Sequence, residues 1–151
     1  ISKKKFIIYS ENYKNPININ KSIEIIYGLR NFIGNANKFS KEKIEIFLNS
    51  DEKLTNIIIR DDGGGIDADK ICESGIKKGL VDKSKAAKMS QKEKLELIFA
   101  STLSTKEVVS ELSGRGVGMD VVKKNLEEMG SKIEIQTEVG RGTEFIIDIA
   151  V

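Results

Sequence analysis

Apolar and polar positions change period several times along the 151-residue chain, and each change marks an element. Ile1–Pro16 reads as a lysine-flanked extended segment around Phe6, Ile7 and Ile8, an edge strand whose Lys3–Lys5 border discourages further pairing. Between Ser22 and Phe39 the spacing turns helical. Ile25, Leu29, Phe32 and Ala36 are four, three and four apart, one helical face that Asn20 or Ser22 can cap. Lys43–Leu48 alternates, with Ile44, Ile46 and Leu48 on one side, so a half-buried strand is expected. After a turn at Asn49–Lys53, Ile57–Ile59 is β-branched throughout and reads as a strand more deeply buried. It runs directly into Asp61-Asp62-Gly63-Gly64-Gly65-Ile66. A short helix follows near Ala68–Lys78, with Asp67 as its N-cap and Cys72 as a small core or boundary residue.

Leu80–Ser113 is patterned differently. It is rich in Lys, Ser and Thr, holds one amphipathic piece at Gln91–Ala100, and otherwise lacks strong periodicity. A long, weakly patterned insert in a compact domain is either a functional lid or disordered, and Phe99 within it reads equally as lid hydrophobe or ordinary packing. Gly114-Arg115-Gly116-Val117-Gly118 then opens a helix whose Met119, Val122, Leu126 and Met129 are spaced three, four and three, with Gly130 as its stop. Two alternating strands close the pattern, Ile133-x-Ile135-x-Thr137 and Phe145-x-Ile147-x-Ile149, joined across Gly140-Arg141-Gly142. The expected layout is a single α+β domain over residues 1–151, with helices packed on one face of a sheet.

Composition removes whole classes of function. Hydrophobic residues make up 39% and 13 glycines add to them, an ordinary globular share. Charged residues reach 32%, yet 25 Lys+Arg against 23 Asp+Glu leave only +2. That balance argues against nucleic acid as a partner and against direct membrane contact. One cysteine, Cys72, allows no internal disulfide and no paired CxxC zinc site. Zero histidines exclude Ser-His-Asp and Cys-His catalysis, histidine metal sites and any phosphohistidine made on this chain. No apolar run is long enough to span a membrane and no signal-peptide pattern opens the chain, so a reducing, cytoplasmic setting is the default expectation. The start at Ile1 rather than Met suggests a piece of something longer.

Three constellations carry chemistry. Asn31, Asn35 and Lys38 lie four and three apart, on one stripe beside the apolar face of the first helix. Asparagine is a mediocre helix former, so two on one stripe call for a reason. A carboxamide oxygen can ligate Mg²⁺ and a lysine can hold phosphate oxygens, although a solvated polar face would look the same. Asp61-x-Gly63-x-Gly65 follows a buried strand: its glycines let the backbone approach a ligand, and a carboxylate fixed there can accept a hydrogen bond from an exocyclic amine such as that of adenine. A plain tight turn is the other reading; an EF-hand is not, because Ala68–Cys72, where its glutamate would be due, contains none. Gly114-x-Gly116-x-Gly118 at a helix start offers backbone N–H groups and a helix dipole to a polyphosphate. It is neither a dinucleotide fingerprint, whose third glycine would come one residue later after a strand, nor a P-loop, which would end in GKS or GKT.

The order NxxxNAxK, DxGxG, GxGxG resembles the ATP-binding domain shared by gyrase-type topoisomerases, heat-shock chaperones, histidine kinases and mismatch-repair ATPases. The likeness runs from Phe6 to Val151. Asn31-Phe-Ile-Gly-Asn35-Ala-Asn-Lys38 is similar to the asparagine box of histidine kinases. Ser113-Gly-Arg-Gly-Val-Gly-Met-Asp-Val-Val122 is similar to the chemotaxis kinase (CheA) class, as is Leu97-Ile-Phe99 followed by Leu103-Ser-Thr105. Gly140-Arg-Gly142-Thr143-Glu-Phe145 resembles that family's closing strand motif. The resemblance implies a two-layer α/β sandwich, the Bergerat fold, with a mixed, mostly antiparallel sheet and an ATP lid at about residues 80–118. It implies ATP and Mg²⁺ as cofactors. Asn35 would ligate the metal and Lys38 would touch phosphates, while Asp61 would accept from the adenine amine with Thr143 supporting the base. Gly63 and Gly65 would shape the adenine side, and Gly114, Arg115, Gly116, Val117 and Gly118 the phosphate side. Asn31 stands where some relatives carry an acid or histidine near the γ-phosphate. The implied activity is that of a histidine kinase catalytic domain, donating the γ-phosphoryl to a histidine on a dimerisation or phosphotransfer domain outside this chain, with a response regulator downstream. An anti-sigma-factor serine kinase and a non-catalytic nucleotide-gated module are the alternatives. The setting would be cytoplasmic, with a parent either cytoplasmic throughout or tethered to a membrane.

Overall fold

A computed structural model describes residues 3–10, 23–100 and 119–150. Within them, strand β1 (Lys5–Ser10) is followed by helix α1 (Ile23–Phe39), then by strands β2 (Lys43–Ser50) and β3 (Leu54–Asp61). Helices α2 (Ala68–Lys77), α3 (Lys83–Ala86) and α4 (Gln91–Glu96) come next, α4 running into a 3₁₀ turn at Leu97–Phe99. Helix α5 (Met119–Glu128) and strands β4 (Lys132–Glu138) and β5 (Gly142–Ala150) complete the described elements. The strands form one five-stranded sheet in the order β1-β2-β3-β5-β4. Only the β1–β2 pair is parallel; β2–β3, β3–β5 and β4–β5 are antiparallel. This is the mixed, mostly antiparallel two-layer sandwich expected, with β1 at an edge.

The sheet's helix-side face follows from the period-two patterns. Ile44 of β2, Ile57 and Ile59 of β3, and Phe145, Ile147 and Ile149 of β5 are buried together with Ile25, Phe32 and Ala36 of α1. Phe32 and Phe145 meet with ring centroids 4.8 Å apart, joining α1 to the sheet's centre. Met119, Val122 and Leu126 bring α5 onto the same core, whereas Met129, just past the end of α5, is 39% exposed and leaves the expected stripe. Gly130 ends the helix with φ +73, a left-handed stop that glycine adopts without steric cost.

The stretch expected to be weakly structured departs most from the sequence reading. Its first part, 80–100, is helical and packed. Cys72, Val81 and Ala86 form a second small core, with Ile76, Met89 and Leu97 against it. Caps write these helices rather than periodicity: Asp82 accepts from the Lys85 amide, and Ser90 and Glu93 form a reciprocal capping box. Lys94 bridges back to Asp69 on α2 at 2.6 Å, and Lys123 of α5 bridges to Glu96 at 2.5 Å. Phe99 is buried in the main core, which decides for ordinary packing. The remainder of the expected lid, 101–118, lies outside the described residues. No helix among the described residues is long and apolar enough to cross a membrane.

Candidate functional site

Where the C-terminal end of β3 meets α1, a cavity of about 500 Å³ opens, within the range of small-molecule sites. Asn35 of α1 lines one wall, Asp61 and Thr143 stand on the sheet side, and Gly64 and Gly65 form part of the rim. The rest is largely apolar: Ile66, Ile71, Ile98, Met119, Val139 and Phe145. Such a lining suits a flat aromatic ring, while the polar groups fix its edge.

Asp61 ends β3 facing the core side of the sheet, so its carboxylate is 7% exposed. Gly63 N–H donates to its Oδ1 at 2.8 Å, the bond that turns the chain out of the strand. Burial raises the Asp61 carboxyl above the ordinary aspartate value of 3.8; the backbone amides of Gly63 and Thr143 pull the other way, and neighbouring Asp62 adds to the rise. The carboxylate lines the cavity, where it can also accept from a bound group. Asp62 has the opposite fate. Burial pushes it up, but the backbone N–H groups of Glu42, Lys41 and Lys43 outweigh that and hold it below 3.8. Those donors lie 2.8–3.2 Å from its oxygens, so Asp62 ties the α1–β2 connection to the end of β3.

Three glycines, Gly63, Gly65 and Gly142, are demanded by close approach to backbone, the last two also by positive φ. Gly65 (φ +76) would drive a Cβ into the carbonyl of Glu138, and Gly142 (φ +130) would drive one into the carbonyl of Asp61. The glycine loop and the β4–β5 turn are thus pressed together, and Gly140 N–H donates to Gly64 O at 2.8 Å. Gly63 lies behind the rim, against the Phe39 carbonyl, and does not line the cavity.

Asp61 and Thr143 are register partners on β3 and β5. Thr143 is 6% exposed, and its hydroxyl lies 2.9 Å from that of Thr137, its partner on β4. Thr137 was not singled out from the sequence; only its place in the alternation of β4, one position after Gln136, marked it as inward-facing. Asn31 and Lys38 share the helix with Asn35 but do not line the cavity, and the Lys38 ammonium lies 5.4 Å over the Phe39 ring. The expected phosphate-side residues Gly114, Arg115, Gly116, Val117 and Gly118 lie outside the described residues. Among the described residues no group of three or more His, Cys, Asp or Glu could hold a metal ion.

Comparison with known proteins converges on one family. Residues 20–151 match the family described as histidine kinase-, DNA gyrase B-, and HSP90-like ATPase. The chain is 44% identical over 107 residues to the sensor histidine kinase CheAY of Helicobacter pylori, covering 71% of this chain and 13% of that protein. It is 43% identical over 101 residues to the gliding motility regulatory protein of Myxococcus xanthus, covering 67% of this chain and 13% of that one. With the chemotaxis protein CheA of Listeria monocytogenes it shares 42% over 93 residues, 62% of this chain and 15% of the relative. The chain therefore spans only about an eighth to a sixth of the length of these curated relatives. Among solved structures, the catalytic domain of histidine kinase ThkA superposes with TM-score 0.61 at 21% identity, covering 96% of this chain and 78% of that one. The mycobacterial sensor histidine kinase MprB gives 0.60 at 17%, covering 97% and 80%.

Proposed function

Because the chain belongs to the histidine kinase-, DNA gyrase B- and HSP90-like ATPase family, we propose that its cavity binds Mg·ATP for transfer of the γ-phosphoryl to a histidine on a separate domain of a CheA-like kinase. The observation that carries the reading is the buried, acceptor-only Asp61 in a largely apolar cavity that Asn35 also lines. An adenine ring fits the apolar lining, and its exocyclic amine would donate to the Asp61 carboxylate. Asn35 would hold the metal, and Mg²⁺ when bound would neutralise charge on the phosphates. Asn31, Lys38 and the Gly114–Gly118 backbone, assigned by resemblance, would carry the phosphate side, under a lid at about residues 80–118. The domain itself supplies position and electrostatics: Asp61 orients the base, and the apolar walls exclude water from it. The acceptor histidine must come from a partner domain, since this chain has none. A response regulator would take the phosphoryl group next, and a cytoplasmic setting fits that chemistry.

Calorimetry with ATP tests the reading. Asp61→Asn keeps the shape but can present a donor to the adenine amine, and losing a charged hydrogen bond costs about 1.5–3 kcal/mol, roughly 10- to 100-fold in affinity. Equal affinity in both forms removes Asp61 from the base. Binding unchanged on chelation of Mg²⁺ removes Asn35 from the metal.

A further inference from the structure

Thr137 stands just behind Thr143, outside the lining of the nucleotide cavity, and its hydroxyl is the hub of a small network. The Ile66 amide, in the loop that leads from Gly65 to α2, donates to Thr137 Oγ1 at 2.8 Å. Gly142 O lies 3.0 Å from the same oxygen and Thr143 Oγ1 lies 2.9 Å from it. A hydroxyl has one proton and two lone pairs. With one lone pair taken by Ile66, two arrangements remain. Thr137 can give its proton to Gly142 O and accept from Thr143, which leaves only Thr143 lone pairs facing the cavity. Alternatively it can give its proton to Thr143, which frees the Thr143 proton for a ligand.

We propose that Thr137 is a positioning residue for base recognition, setting through Thr143 whether the cavity presents a donor or an acceptor beside Asp61. This rests on the nucleotide reading above. Adenine carries an amine donor and, next to it, the ring nitrogen N1, which only accepts. Asp61 matches the amine. The neighbouring group must then donate to N1, directly or through one water, and Thr143 can do so when Thr137 supplies the proton that satisfies its oxygen. Because the Ile66 amide anchors Thr137, the same hub couples the base edge to the loop between the glycines and α2. A hypoxanthine or guanine edge carries a 6-oxo group in place of the amine, so the acceptor-only Asp61 would face another acceptor.

The test compares ATP with an analogue bearing C–H in place of N1, on the 151-residue chain and on Thr137→Val and Thr137→Ser. The parent should prefer ATP by about tenfold, one hydrogen bond's worth, and Thr137→Val should lose most of that preference while Thr137→Ser keeps it. A second readout needs no variant: the Ile66 amide resonance, which any occupant of the cavity shifts, should move further on adding ATP than on adding the analogue to the same occupancy. If Thr137→Val weakens both nucleotides by the same factor, or if the Ile66 resonance answers both alike, Thr137 merely braces the turn and the inference is overturned. Those results leave the nucleotide reading intact. A parent chain that binds neither nucleotide overturns both.

Discussion

Asp61 is placed at a cost to the fold that its role explains. Burial without an ion partner favours its neutral form, so its folded-state carboxyl titrates above the unfolded value. The sign of the linkage follows: the contribution to stability is full below 3.8 and is lost as pH rises through the higher folded value. At neutral pH the ionised carboxylate therefore weighs against folding, and Asp61→Asn should melt higher than the parent at pH 7. The gap should close as the pH approaches 3.8. Thermal melts of both forms across that range check it; a variant that melts lower at pH 7 would contradict the burial argument. The same substitution is expected to weaken ATP binding, so affinity and stability should move in opposite directions. Asp61 was singled out because a carboxylate stands between a β-branched strand and glycines, a pattern that a plain tight turn shares. Thr137 was not, since one threonine in an alternating strand looks like any other until the register sets it beside Thr143.

Among the elements, those written by periodicity were legible, α4 showed only as part of the amphipathic Gln91–Ala100 piece, and α3 did not show at all. The stripe of Ile25, Phe32 and Ala36 specified α1, and the isoleucines of β3 specified a central strand. Helices α3 and α4 span four and six residues, too short for an apolar stripe to repeat. Their signal lay instead in Asp82, Ser90 and Glu93, and their packing in Val81 and Ala86 pressing on Cys72. Because that core is separate from the one under the sheet, the α2–α4 unit should open on its own. Val81→Ala removes two methyl groups' worth of buried surface and leaves a gap, about 2 kcal/mol in all. Amides of α3 and α4 should then exchange hydrogen about 10- to 30-fold faster, while those of β3 and β5 keep their rates. Uniform acceleration across the sheet would mean that the two cores unfold together.

At the scale of the whole molecule, the chain proposed above to bind ATP contains no histidine to accept its phosphoryl group. With γ-labelled ATP, the chain alone should gain no acid-labile label, because it has no histidine. Adding the histidine-bearing domain of its parent should restore transfer, since alignment of donor and acceptor is what separation removes. Acid-stable label on a different protein would point to serine and to the anti-sigma alternative. The strand order has a further outcome, in the timing of assembly. β5 is the latest of the described strands along the chain yet lies between β3 and β4, so Asn56 waits 92 residues for its partner Asp148. Loop closure of that length is slow, and until it happens the isoleucine run of β3 offers an unpaired edge to any other nascent chain. Ribosome-bound chains halted before β5 should therefore aggregate on release, whereas chains halted after it should fold.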